Sequence, residues 1–230
     1  METPLKGIKM NFNATNRSLK TILLATLTLN LSGCSMFGIR SEESPKYTVT
    51  LSEDNKEIRQ YSAYITASTK VAGDFKEAQN KGFRILAGYI FGDNEKADKI
   101  SMTAPVVMNT EKKESEKISM TAPVLQTQTS EGWEMNFMMP SQYTSLDSLP
   151  KPKDSRVILK VVSEKTIAVI KFTGFWSEEK NRKLAEQLKE WLALKPQYEL
   201  VSSPMFAGYD PPWTLPFLRR NEMMIEVRQK

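Results

Sequence analysis

Apolar positions recur along this chain with two different periods, and the switches between them mark out the elements. Runs at Tyr47–Leu51, Glu57–Tyr61 and Tyr64–Val71 are rich in β-branched and aromatic residues, which predicts strands. From Asp74 the period lengthens, and Phe75, Ala78, Phe83, Leu86, Ala87 and Ile90 form one stripe at helical spacing. Asp74 and Glu77 have the spacing of a capping box, and Gly92-Asp93-Asn94 supplies the stop. Strand-like runs return at Trp133–Met139, Arg156–Ser163 and Thr166–Thr173. A second helix is predicted from Ser177, with Glu178 and Glu179 in the first turn, where the helix dipole favours acids. Its stripe is Leu184, Leu188, Trp191 and Leu192, and runs at Tyr198–Ala207 and Met223–Arg228 follow.

The pattern repeats itself. A shift of 101 residues places Gly73-Asp74-Phe75 on Gly174-Phe175-Trp176, and Phe83, Ala87 and Ile90 on Leu184, Leu188 and Trp191. Strand, helix, then strands in each half predicts a duplicated α+β domain with pseudo-twofold symmetry; two copies are too few for a solenoid. A second, literal repeat sits between the halves. Lys99-Ile100-Ser101-Met102-Thr103-Ala104-Pro105-Val106 recurs letter for letter at Lys117 to Val124. Its proline confines each copy to a sheet edge, a bulge or a strand end.

Composition is that of an ordinary globular chain, 40% hydrophobic and 26% charged in 230 residues, which fits one domain. The net charge of +5 loses its significance once located. Lys6, Lys9, Arg17 and Lys20 against Glu2 put +3 of it in the first 33 residues, and the weak remainder points to no nucleic-acid partner. The folded part reads as a monomer. There is no histidine, so the commonest general base and the commonest transition-metal ligand are missing. The only cysteine, Cys34, leaves no intrachain disulfide, thiolate zinc site or iron–sulfur cluster.

Cys34 has another use. Arg17 and Lys20 precede the apolar run Ile22–Leu31, whose ten residues would span only about 15 Å as a helix, too short for a bilayer but suited to a signal peptide. Leu31-Ser32-Gly33-Cys34 follows directly and resembles a lipobox. The expectation is a signal peptide over 1–33, lipid on Cys34, a polar tether over 34–45 and a folded domain over 46–230. Ser35 is not the aspartate that retains many bacterial lipoproteins at the inner membrane, so the periplasmic face of the outer membrane is expected.

Several segments together carry a family resemblance. They are Glu57-Ile58-Arg59-Gln60-Tyr61, the stretch Gly82-Phe83-Arg84-Ile85-Leu86-Ala87-Gly88-Tyr89-Ile90-Phe91-Gly92, and the doubled Lys-Ile-Ser-Met-Thr-Ala-Pro-Val. Phe137-Met138-Met139-Pro140, and Gly208-Tyr209-Asp210-Pro211-Pro212 leading to Arg219-Arg220-Asn221-Glu222, complete the set. The domain over 46–230 resembles the SOUL/heme-binding-protein family. That resemblance implies two βαββ-type repeats forming a distorted antiparallel β-barrel flanked by two helices. It also implies heme or another tetrapyrrole as ligand, held in a shallow apolar groove beside the first helix and under the Gly208–Pro212 loop.

Phe83, Leu86, Ala87 and Ile90 are then candidates for the groove floor, although such a stripe ordinarily serves as core. Tyr209 is a candidate for ring packing or hydrogen bonding. Arg219 and Arg220 are candidates for carboxylates, which arginine meets bidentately. Trp213, Leu215 and Phe217 lie among prolines on backbone that cannot join a sheet, and so are expected to cover a core edge, a ligand, a partner or a bilayer surface. No metal-binding or catalytic residue is assigned. Ser177-Glu178-Glu179-Lys180 matches Ser-x-x-Lys, but so does Ser148-Leu149-Pro150-Lys151, and no Lys-Thr-Gly follows. The alternative to a tetrapyrrole binder is an effector module taking another apolar or cationic small molecule, with an enzyme ranked behind it.

Overall fold

In the computed structural model, residues 42–96 and 114–230 are described. Cys34, the leader, most of the tether and the first Lys-Ile-Ser-Met-Thr-Ala-Pro-Val copy lie outside them. Twelve strands and two helices make up the described residues: β1 (Tyr47–Glu53), β2 (Lys56–Tyr61), β3 (Tyr64–Val71), α1 (Phe75–Ile90), β4 (Asn94–Glu95), β5 (Val124–Thr129), β6 (Gly132–Met138), β7 (Lys151–Pro152), β8 (Ile158–Val162), β9 (Lys165–Phe172), α2 (Glu178–Ala193), β10 (Tyr198–Leu200), β11 (Met205–Gly208) and β12 (Asn221–Gln229). The main sheet runs β1-β2-β9-β12-β11-β5-β6-β3-β8, with β10 paired to β12. It is a curled, wholly antiparallel half-barrel with both helices packed on it, so the α+β expectation holds.

The strand order carries the duplication. Exchanging β2 with β8, β3 with β9, β5 with β11 and β6 with β12 turns the series β2-β9-β12-β11-β5-β6-β3-β8 into its own reverse. The pseudo-twofold axis therefore passes between β5 and β11, which pair from Met205↔Thr127 to Gly208↔Val124. Each half also donates a strand to the other, since β2 pairs with β9, and β8 with β3. Gly73 and Gly174, aligned by the 101-residue shift, both have positive φ (117° and 92°) in the turn from strand into helix. That backbone region is open to glycine and strained for other residues.

Both helices start as their caps predict. The Asp74 carboxylate accepts from the Glu77 N–H, and the Ser177 hydroxyl from the Lys180 N–H. The two N-termini meet near the axis, where the Phe75 N–H donates to Glu178 Oε1 at 3.3 Å. The Phe75 ring packs edge-on to Trp133 (4.7 Å) and Trp176 (4.5 Å). Beneath α2 lies one core, with Ile58, Ile170, Leu188, Leu192 and Ile225; beneath α1 lies another, with Ile65, Ala67, Leu86, Ile90 and Phe137. A third cluster, containing Tyr61, Ile167, Val169, Tyr209 and Met224, covers the opposite side of the sheet, as strand alternation requires.

Some details differ from the sequence expectation. The run Tyr198–Ala207 is two strands, β10 and β11, because Pro204 has no N–H to give a ladder and the chain turns through Ser202-Ser203. β5 was not anticipated: it starts immediately after the cis Ala122–Pro123 bond, so the second repeat copy leads into a strand rather than forming one. The chain also engages the domain before residue 46. Glu43 O accepts from Ala122 N–H, and Glu43 Oε1 from Ser141 N–H.

Candidate functional site

The α1 stripe divides in two. Leu86 and Ile90 are 0% and 1% exposed, locked in the core beneath the helix. Gly82 brings α1 so close to the sheet that a Cβ there would sit 3.2 Å from that of Met135. Phe83 lies instead at the rim, 38% exposed, its ring edge-on to Phe137 at 5.4 Å. Ala87, one turn further along, is buried. Phe91, which ends the helix by donating its N–H to Ala87 O, is 60% exposed. At 3.6 residues per turn, the exposed Lys76, Asn80, Phe83, Arg84 and Phe91 share an arc of roughly 100° with the buried Ala87. Phe83 and Phe91 stand about 12 Å apart along the axis, with the buried Ala87 between them.

The loop predicted to cover this groove does something else. The Tyr209 ring is buried in the third cluster, away from α1, and its hydroxyl donates to Glu222 Oε2 at 2.8 Å. Arg220 lies over that ring, 3.9 Å from its centroid, and donates to Glu222 Oε1 through Nη2 (2.7 Å) and Nε (2.9 Å). Its backbone N–H goes to Asp210. Arg219 donates to the carbonyls of Thr214 (2.8 Å) and Pro212, with its guanidinium 5.0 Å from the Phe175 centroid. Both arginines are thus engaged within the protein. Trp213 and Phe217 are 64% and 68% exposed, whereas Leu215 is half-buried.

Glu222 and Arg59, both buried, centre a chain of alternating charge that runs out to the surface at each end, Lys171–Glu57–Arg59–Glu222–Arg220. Arg59 donates to Glu57, to Tyr61 Oη and to both oxygens of Glu222, and lies over the Tyr47 ring. Burial alone would lower the Arg59 pKa, but the hydrogen bond and charge of Glu222 outweigh it and raise it. Burial likewise works to raise Glu57, yet hydrogen bonds from Lys171 and Arg59 hold it below the ordinary carboxylate range. Tyr61 is pushed up to about 12, chiefly by burial, and Tyr209 is raised by burial and by the Glu222 charge. All these groups are committed to one another, so the network organises the fold.

The structure therefore joins Tyr209 to Arg220, places Arg219 at the base of its own loop, and leaves Phe83 and Ala87 on a different surface. Sequence reasoning missed Phe91 and Lys76, which continue the Phe83–Ala87 arc; the available signal was their helical spacing from Phe83 and Ala87. It missed the network because Glu57, Arg59 and Tyr61 alternate like a solvated strand face. Among the described residues, no group of three acidic, histidine or cysteine side chains could hold a metal ion, and no helix is long and apolar enough to cross a membrane.

Comparison with known proteins decides the family. The model for the SOUL heme-binding protein family matches residues 42–116 and 109–226. The chain belongs to this family. Its relatives include heme-binding protein 1 of Xenopus laevis, 30% identical over 168 residues, spanning 73% of this chain and 80% of that protein. Heme-binding protein 2 of Mus musculus is 31% identical over 172 residues, spanning 74% and 76%. Among solved structures, the EcmrR C-terminal domain superposes with a TM-score of 0.50 over 80% of this chain and 99% of its own, at 13% identity, a likeness of fold alone. Within this SOUL domain, the Gly208–Pro212 and Arg219–Glu222 segments that carried the resemblance are the two sides of the Tyr209–Glu222–Arg220 contact.

Proposed function

We propose that this protein is a membrane-tethered, non-catalytic tetrapyrrole binder whose ligand lies against the outer arc of α1. The observation that carries this reading is the pair of exposed rings, Phe83 and Phe91, on either side of Ala87 in a SOUL-family domain. Apolar side chains left outside a core mark contact surfaces. The donor set fits a flat apolar disc bearing carboxylates: two rings and a methyl form the floor, and Lys76 and Arg84 stand on the same arc to meet acid groups. A tetrapyrrole supplies that disc and those acids. No histidine is present to ligate a central iron, so the protein holds the ligand by its face and edges.

Leu86 and Ile90 support the floor from beneath, and Tyr209, Arg219 and Arg220 keep the neighbouring sheet and loop in shape. Lipid on Cys34 places the domain in the cell envelope, on the periplasmic face of the outer membrane. Titration of residues 35–230 with hemin tests the reading. A saturable Soret change is expected, weakened about tenfold or more by Phe83→Asp or Phe91→Asp, since each removes an aromatic contact. Phe217→Asp, on the Arg219 loop, leaves it unchanged. A featureless, non-saturating titration contradicts the reading.

A further inference from the structure

A second cavity lies on the same side of the sheet but under the other helix. It has a volume of about 670 Å³ and is bounded by the first three turns of α2, by Trp133, and by β5, β11 and β12. That is within the range of small-molecule sites. Gln126 on β5 is among the residues that line it. Leu125 belongs to the cluster on the opposite side of the sheet, so Gln126 faces the helices, flanked in register by Phe206 of β11 and Met135 of β6. Gln126 is 2% exposed, and neither its amide nitrogen nor its amide oxygen has a hydrogen-bond partner among the described residues. Burying an unpaired polar group is costly, and a leucine of similar size would avoid that cost. Asn181 on α2 lines the same cavity with a buried, unpaired side-chain oxygen.

We infer that this cavity is a second binding site, for a flat aromatic heterocycle presenting an amide-type N–H and C=O side by side. The unpaired amide of Gln126 sets an N–H donor beside a C=O acceptor, the pattern that an amide-type edge complements with two paired hydrogen bonds. A tetrapyrrole carboxylate offers acceptors alone and would leave the glutamine oxygen unsatisfied. Trp133, Phe206 and Met223 give the walls a planar ligand requires. The rim mixes Glu178, Glu179 and Glu186 with Arg182 and Lys189, and Lys189 pairs with Glu186 at 2.9 Å, so no strong field of one sign selects a charged ligand. The site stands independently of the α1 surface.

Lumiflavin, whose N3–H lies between two carbonyls, is a direct probe. Its fluorescence is expected to be quenched saturably by residues 35–230, through stacking on the Trp133 wall. N3-methyl-lumiflavin, and the Gln126→Leu variant with lumiflavin, are each expected to bind about tenfold more weakly or worse, the loss of one paired hydrogen bond. Gln126→Leu is expected to melt no lower than the parent protein. Asn181→Ala, a change on α2 outside the core clusters, provides a second variant that also weakens binding. No saturable quenching overturns the inference. Equal affinity for the methylated probe, or unchanged affinity in both variants, overturns it as well.

Discussion

Arg59 and Glu222, 163 residues apart, are both fully buried and joined by two hydrogen bonds of 2.8 and 3.1 Å. They lie on β2 and β12, on either side of β9, and so tie a strand of the first half into the sheet of the second. Removing one member of such a pair leaves an uncompensated buried charge. Arg59→Met is therefore expected to lower the unfolding free energy by roughly 3–5 kcal/mol in urea titration. Arg156→Ala, which breaks the solvent-facing pair with Asp154, leaves the same midpoint unchanged.

The network is expected to shape stability at both ends of the pH range. Glu57 titrates below its ordinary value of 4.5, so its contribution is present above that pH and is lost as pH falls through the lowered value. Tyr61, raised from 10.0 to about 12, acts at the other end: its contribution is full below pH 10 and is lost as pH climbs towards 12. Melting curves from pH 3 to 12 should show both limbs. Glu57→Gln is expected to flatten the acid limb and Tyr61→Phe the alkaline one.

The lipid anchor proposed at Cys34 predicts a clean separation of anchor from domain. The parent protein should sediment with membranes and incorporate labelled palmitate, and Cys34→Ser should do neither, because acyl burial supplies the attachment. Hemin binding by the released variant should match that of the parent. Membrane retention of Cys34→Ser contradicts the lipid-anchor assignment.

Much of the fold was legible in the sequence. β3 runs Tyr64–Val71 as its composition indicated, and Asp74 and Ser177 cap the helices they precede. The duplication showed in Gly73 and Gly174, whose shared positive φ is a backbone requirement written directly as residue type. Packing was less legible. Phe83 and Leu86 belong to the same apolar stripe, yet one lies at the rim and the other in the core, and that division depends on how closely Gly82 lets α1 approach Met135. Arg220 looked free to meet a ligand because its partners, Glu222 and the Tyr209 ring, converge only when β11 pairs with β12. Gln126 is polar between the apolar Phe206 and Met135 that flank it in register, and only the paired strands show that its amide is enclosed.

Paramagnetic broadening by hemin in the amide NMR spectrum of residues 35–230 tests the α1 assignment most directly. Amides of residues 76–91 should broaden first, with Phe83, Ala87 and Phe91 most affected, while those of 209–222 and of α2 remain sharp. Broadening centred on the Tyr209–Glu222 segment or on α2, with α1 unaffected, would contradict it.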